Sequence, residues 1–405
     1  MNTTLESYVH GVFMRGQKIG AAVMPYRWPR IFEGDEPALD LCRHMLNRKH
    51  RSIFFVTSKT PVRTGLIDPL VACLREGGVR VAVYDDIRPD PSIDDIEVAV
   101  AELKKQGCDA VLALGGGSVI DAAKVIAARA RNNKPILKMT GMFRVSKGML
   151  PLYAVPTTAG TGSEVTIVAV VSDLAKQRKL PLMDPRLMPR AAALDGSLMT
   201  GVPADITAAT GMDALTHAVE SFISKNATAR TDSLALEATQ LIMANLATAV
   251  SDGSNIEARQ ALARAAYLAG KAFTQAGVGY VHAIAHNFGG IYHIAHGRAN
   301  AIILPYVLAF SMPQCAQRLS TLAVACGVGS HQRDPESNAQ QFIARIRQMN
   351  RSFGIPETVA ELKTTDIPRI AKAARQEARF TYAVPRYMSR AQCEDLVAQM
   401  LPAGA

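Results

Sequence analysis

The stretch DAVLALGGGSVIDAAK, residues 109–124, sets the fold class of this chain. An apolar run over 109–114 leads straight into Gly115-Gly116-Gly117-Ser118, and helical spacing follows over 119–124. A strand, a glycine turn and a helix in succession aim free backbone N–H groups and a helix N-terminus at one point, which suits an anion. Glycines let the backbone come close to a pyrophosphate, and Ser118 adds a hydroxyl. The pattern is not GxGxxG, and a GGGS by itself is equally a tight turn with no ligand. A second loop adds to it. Residues 152–155 read as a strand that ends in PTTAGTGSE, residues 156–164. Ligands of open α/β sheets lie outside the carboxyl ends of the strands. Two small-residue loops one strand apart therefore predict a shared nucleotide pocket.

Working outward, SIFFVT at 52–57 is a short buried-strand run and VRVAVY at 79–84 alternates as a strand does. A helix is expected near 93–106. Strands separated by helices of this length predict a parallel sheet with crossover helices. The texture changes between 196 and 204. Beyond it, stretches rich in Ala, Leu and Ile have helical spacing, with Asp205 as the expected first N-cap. The chain is thus expected to form an α/β dinucleotide-binding domain over 1–200 and an all-α domain over 201–405. Residues 1 to about 30 are expected to form an arm.

Composition narrows the function classes. The six cysteines form no CxxC pair, so a zinc ribbon is not expected, and scattered single thiols suit a reducing compartment. With no apolar signal core and no run of about 18 apolar residues, the sequence predicts a cytoplasmic protein without a membrane role. The net charge of +10 is spread along the chain with few aromatics. That reads as a solvated basic surface with some attraction for anionic ligands, and a nucleic-acid stripe is not supported.

Five of the nine histidines fall between 217 and 296. In GMDALTHAVES, residues 211–221, Asp213 and His217 share a helix face, which can bind a metal, although such a pair alone is more often a surface hydrogen bond. In GYVHAIAHNFGGIYHIAHGRANAIILP, residues 279–305, His282, His286, His293 and His296 follow one another. A continuous helix would part His282 from His296 by about 21 Å. A shared ion therefore needs the chain to turn back, and Gly289-Gly290 and Gly297 are placed to allow it.

The motifs GGGSVIDAAK, PTTAGTGSEVT, GMDALTHAVES and HAIAHNFGGIYHIAHGRANAIILP, in that order, resemble the iron-dependent (group III) alcohol dehydrogenases. That family is related to dehydroquinate synthase, and the resemblance runs from about 25 to about 390. It implies a dehydroquinate synthase-like fold. It also implies that Asp213, His217, His282 and His296 ligate a divalent metal. One carboxylate and three imidazoles with no thiolate suit Fe(II), Zn(II), Co(II) or Mn(II), and the resemblance implies Fe(II). By the same resemblance His286 is a non-ligand active-site histidine and proton relay, His293 matches no ligand position, and Phe273 walls the substrate pocket. Cofactor contacts are implied for Gly116, Gly117, Ser118, Asp121, Thr157, Thr158, Thr161, Thr166 and Lys179.

Three positions depart from the family. Ser58, followed by Lys59, stands where NAD-preferring members carry Asp for the ribose hydroxyl, so NAD is expected and NADP is admissible. Asp90 replaces a frequent Asn on the adenosine side, and Val384-Pro385-Arg386 replaces Asn-Pro-Arg. The expected activity is hydride transfer between NAD(P) and a metal-coordinated primary or secondary alcohol or its carbonyl partner. A hydroxyacid–oxoacid transhydrogenase and a dehydroquinate synthase-like lyase that uses NAD internally are the alternatives. The resemblance also implies a homodimer or larger homo-oligomer acting on a small molecule.

Overall fold

The computed structural model describes Met14, Gly16 and residues 26–174 and 178–402. Most of the expected N-terminal arm lies outside these residues. Two compact units result, one of residues 25–202 with 253–267 and the other of 203–252 with 268–405.

The first unit is built on β1 (Arg30–Phe32), β2 (Ser52–Val56), β3 (Arg80–Tyr84), β4 (Ala110–Gly115), β6 (Leu152–Pro156) and β9 (Ala191–Ala193). They form one sheet in the order β1-β9-β6-β4-β2-β3, and every pairing is parallel. β2 and β4 are buried at every position, as unbroken apolar runs demand when helices cover both faces. Alternate residues serve opposite faces. Phe54, Val56, Val111 and Ala113 pack with α4 (Ile93–Lys105) and α5 (Gly117–Arg131). Ile53, Phe55, Leu112 and Leu114 pack with α1 (Pro37–Leu46) and α3 (Asp68–Glu76), and the short α2 (Lys59–Arg63) precedes α3. Each buried Phe contributes roughly 2–3 kcal/mol through its apolar area. The chain runs from β2 out to β3 and then back to β4 on the other side of β2. That reversal puts a topological switch point at the carboxyl ends of β2 and β4, where ligands of such sheets bind. A smaller sheet, β5 (Gly141–Met142), β8 (Arg178–Met183) and β7 (Val168–Asp173) in that order, completes the strands.

Residues 253–267 join this unit through side chains that the helical periodicity did not reveal. Gln260 accepts from Gly196 N–H at 2.8 Å and donates to Leu194 O at 3.0 Å. Arg264 pairs with Glu33 at 2.9 Å.

The second unit is helical among the described residues. It contains α6 (Ala204–Ile223), α7 (Ala229–Ser251), the later part of α8 (Ile256–Ala276), α9 (Tyr280–Tyr292), α10 (His296–Ala325), α11 (Pro335–Ser352), α12 (Ile367–Thr381) and α13 (Arg390–Ala398). Asp205 is not the N-cap of α6. Pro203 holds that place, and Asp205 lies within the first turn, where a carboxylate complements the helix dipole. α7 starts on a Thr228–Thr231 capping box. α7 and α10 are long and apolar enough to cross a membrane by composition alone, but 67% of the relevant stretch of α10 is buried inside the protein. Arg386 of the Val-Pro-Arg turn donates to Phe310 O at 2.8 Å and lies over the Phe310 ring, so the departure at Val384 leaves a well-anchored turn.

Candidate metal centre and nucleotide site

Three helices bring the predicted ligands together. Asp213 and His217 are one turn apart on α6 and both are buried. His282 lies in the first turn of α9, and His296 is the first residue of α10. The reversal that His282 and His296 require does not fall on the glycines. α9 runs unbroken through Gly289-Gly290 and ends at His293, whose left-handed φ of 58° turns the chain. His293 is therefore a helix terminator, exposed and structural. Gly297 has a different task. A Cβ there would lie 2.4 Å from Ala209 O, so only glycine lets the start of α10 close on α6.

One donor atom from each of Asp213, His217 and His282 lies within 4.8 Å of the others. His296 Nε2 is 3.6 Å from Asp213 Oδ1. Atoms bound at about 2.1 Å around a tetrahedral ion stand roughly 3.4 Å apart, which the His296–Asp213 separation approaches, while His296 lies outside the 4.8 Å group formed by the other three. The donors, one carboxylate oxygen and imidazole nitrogens, fit a borderline divalent cation. His217 is stacked between Phe273 at 4.3 Å and His282 at 4.6 Å, which fixes its plane.

Glu220 was not singled out from the sequence, yet it holds this set in place. It is 3% exposed. It accepts from Gly279 N–H at 2.9 Å, Val281 N–H at 2.8 Å and His282 Nδ1–H at 2.7 Å. A carboxylate on the far nitrogen of a ligating imidazole fixes the tautomer and strengthens the donor. Burial pushes the Glu220 carboxyl up to about 7, against the pull of the backbone N–H groups. Burial and then the neighbouring imidazoles push His282 well below the usual histidine range, so its Nε2 keeps a lone pair. The signal for Glu220 was in its spacing, seven residues after Asp213 and three after His217, on the same helical face.

His286 stacks against His296 at 5.5 Å, and its Nδ1–H donates to Glu377 Oε1 at 2.8 Å. Tyr382 O–H donates to that same oxygen at 2.6 Å. The arrangement leaves His286 Nε2 as the ring atom available to a ligand. Glu377 and Tyr382 come from α12 and its C-terminal end, and no local pattern ties them to His286.

The predicted nucleotide residues gather in the α/β unit. Gly116 is the N-cap of α5, and Gly116, Gly117 and Ser118 are partly exposed amid buried neighbours. β4 and β6 are adjacent, and Thr157 N–H donates to Gly115 O at 3.0 Å. A Cβ on Gly116 would lie 3.2 Å from Thr158 Oγ1, and one on Gly117 would lie 2.5 Å from Thr161 Cγ2, so the two loops touch. Ser58 follows β2 at the switch point. Asp90, with φ 53°, offers its N–H to Ser118 Oγ at 3.4 Å and its carboxylate to Lys179 Nζ at 2.7 Å.

Asp121 and Thr166 face inward. Asp121 accepts from Ser163 O–H at 2.5 Å and Val170 N–H at 2.9 Å. Lys124, fully buried, donates to Thr166 O at 2.9 Å, Thr166 Oγ1 at 2.9 Å and Val168 O at 2.7 Å. Burial pushes this lysine down to about 8, against the pull of Asp121 and Glu164. Asp121 and Lys124 thus clamp the helix of the glycine turn to the loop 156–166. A lysine set in the apolar run of α5 was the sequence signal for this clamp.

Residues 29–196 match the iron-containing alcohol dehydrogenases, and residues 207–401 match the C-terminal part of the same family. The chain belongs to the iron-containing alcohol dehydrogenase family. An NAD-dependent methanol dehydrogenase of Bacillus methanolicus is 40% identical over 316 residues, 78% of this chain and 83% of that protein. Alcohol dehydrogenase 4 of Saccharomyces cerevisiae (strain YJM789) is 37% identical over 354 residues, 86% of this chain and 91% of its own length. A solved 1,3-propanediol oxidoreductase superposes with a TM-score of 0.89 at 34% identity, covering 93% of this chain and all of its own. The family's activity is oxidoreduction of alcohols with NAD, and this chain is an enzyme of that type.

Proposed function

We propose that this chain interconverts a small primary or secondary alcohol and its carbonyl partner with NAD(P), using a cation held by Asp213, His217, His282 and His296. The convergence of those four side chains from three helices, backed by Glu220, carries the proposal. When bound there, a divalent ion, Fe(II) or Zn(II), supplies Lewis acidity toward an alcohol or carbonyl oxygen. The chain's own residues bind, orient and move the proton. Ser58, Asp90, Gly116, Gly117, Ser118, Thr157, Thr158, Thr161 and Lys179 bind the dinucleotide, while Asp121 and Thr166 hold the loop that carries part of this set. When bound, NAD(P) would supply the acceptor for the carbinol hydride, and His286 Nε2 takes up the hydroxyl proton. Glu377 keeps His286 oriented for that transfer. Phe273, flat against His217, is the apolar wall for the alcohol's carbon chain.

NAD is the expected cofactor. Ser58 carries no negative charge, so a ribose 2′-phosphate is also admitted. A homodimer or larger assembly in the cytoplasm fits the family and the six free thiols. The decisive experiment replaces His282 or His296 with Ala and measures bound metal and alcohol-dependent NAD(P) reduction. Both should fall, the rate by at least about a thousandfold. Undiminished activity in either variant would refute the proposal.

A further inference from the structure

The mechanism above gives Asn300 no task, although its side chain reaches the middle of the ligand set. Asn300 is 0% exposed and lies one turn beyond His296 on α10. Its Nδ2 is 2.6 Å from Asp213 Oδ1, 3.1 Å from His296 Nε2 and 3.3 Å from His282 Nε2. These are atoms that a cation would take. The amide's two N–H groups face the Asp213 oxygen and two imidazole nitrogens, of which His282 Nε2 is made an acceptor by Glu220. Chemistry fixes which end of the amide points inward. His282 gives its Nδ1–H to Glu220, which leaves a lone pair on Nε2. A carbonyl oxygen turned toward that lone pair and toward the Asp213 carboxylate would be repelled. The Asn300 oxygen points elsewhere and, though buried, finds no partner. An unmet buried acceptor is costly, so the interactions of the N–H groups must offset it.

We infer that the Asn300 amide, by donating to atoms that would hold the cation, competes with it and sets the metal affinity of the site. Without a cation, lone pairs of a carboxylate and of imidazoles converge on one buried point and repel one another. The amide N–H groups relieve that repulsion and keep the ligands near their binding positions. The same hydrogen bonds compete with the ion, so Asn300 sets the metal affinity as well as the order of the empty site. This inference rests on the metal reading given above.

Zn(II) serves as the probe because it is redox-inert and suits this donor set. Metal-stripped wild type and Asn300→Ala are titrated with Zn(II) against a chromophoric chelator, and both are melted with and without the ion. The variant should bind Zn(II) about tenfold more tightly, the equivalent of one hydrogen bond to a charged group no longer broken. Its metal-free form should melt several degrees lower, while its loaded form stays near wild type. If the alanine variant folds poorly, Asn300→Leu decides. It keeps the volume but has neither a donor nor a charge, and should likewise tighten Zn(II) binding while lowering the metal-free melting temperature. Unchanged or weaker Zn(II) binding in the deciding variant overturns the inference, as does an equal loss of melting temperature with and without metal. A wild type that binds no Zn(II) at all would instead remove the metal reading itself.

Discussion

The glycine turn and the imidazole cluster, the two proposed ligand sites, are built in opposite ways. The turn uses backbone N–H groups from neighbouring positions, Gly116 to Ser118, and its geometry comes with the strand, the glycines and the helix that follows. The cluster uses side chains from positions 213, 217, 282 and 296, and its geometry exists only once three helices have packed. Support differs in the same way. Asp121 and Lys124 brace the turn from within its own helix, gripping the adjacent loop. Glu220 braces the cluster across a gap of 62 residues. A local site tolerates shifts between distant elements, whereas an assembled site fails when any helix moves.

Several substitutions can break or sharpen that contrast. The largest stability loss is expected from Lys124→Met, which leaves Thr166 O and Val168 O without their buried donor. About 3–5 kcal/mol should disappear from the urea unfolding free energy, with weaker NAD binding and unaltered metal content. A loss of metal in this variant would contradict the separation of the two braces.

Glu164 gives a pH signature to the same brace. It is 2% exposed, and burial raises its carboxyl to about 7, partly offset by Lys124. A carboxyl raised on folding stabilises the fold fully below its unfolded value and loses that contribution as pH rises through the folded one. Relative to Glu164→Gln, wild type should therefore lose up to about 3 kcal/mol between pH 4.5 and 7.5. Parallel stability curves for the two proteins over that range would rule this out.

The same glycine change made in both regions tests the contrast directly. Gly297→Ala drives a Cβ against the backbone oxygen of Ala209, which cannot turn aside, so α10 must shift and carry His296 from Asp213. A loss of about 2–3 kcal/mol with reduced bound metal is expected. Gly117→Ala meets the side chain of Thr161, which can rotate. It should cost about 1 kcal/mol and raise the Kd for NAD, with metal content intact. Equal effects on metal would show that the two regions are not separable. In the last change, Glu220→Gln, one amide oxygen replaces two carboxylate oxygens, so the acceptor of either Gly279 N–H or Val281 N–H is lost together with the negative charge behind His282. Metal affinity should fall roughly tenfold to a hundredfold, read by chelator competition, with a drop of a few degrees in the melting temperature of the metal-free protein from the unmet N–H.

The sequence by itself determined the parallel sheet, the helical second half and the glycine turn. Those follow from periodicity and from turn chemistry, which act over a few residues. It also carried the family motifs, and with them the positions of the proposed ligands. What it could not contain was the closing of the cluster. Spacing alone kept His282 and His296 a helix length apart, and the glycines that looked like the hinge are not the hinge. His293 turns the chain, and Gly297 permits the contact that makes the turn useful. Asn300 and Glu377 likewise gained their roles from packing: one is carried to the ligands by the helix that His296 begins, the other comes from a helix 91 residues away in sequence from His286. The physical reason is range. Backbone hydrogen bonds and hydrophobic period are written residue by residue, while the meeting of lone pairs at a point depends on distances between helices that only the packed core sets.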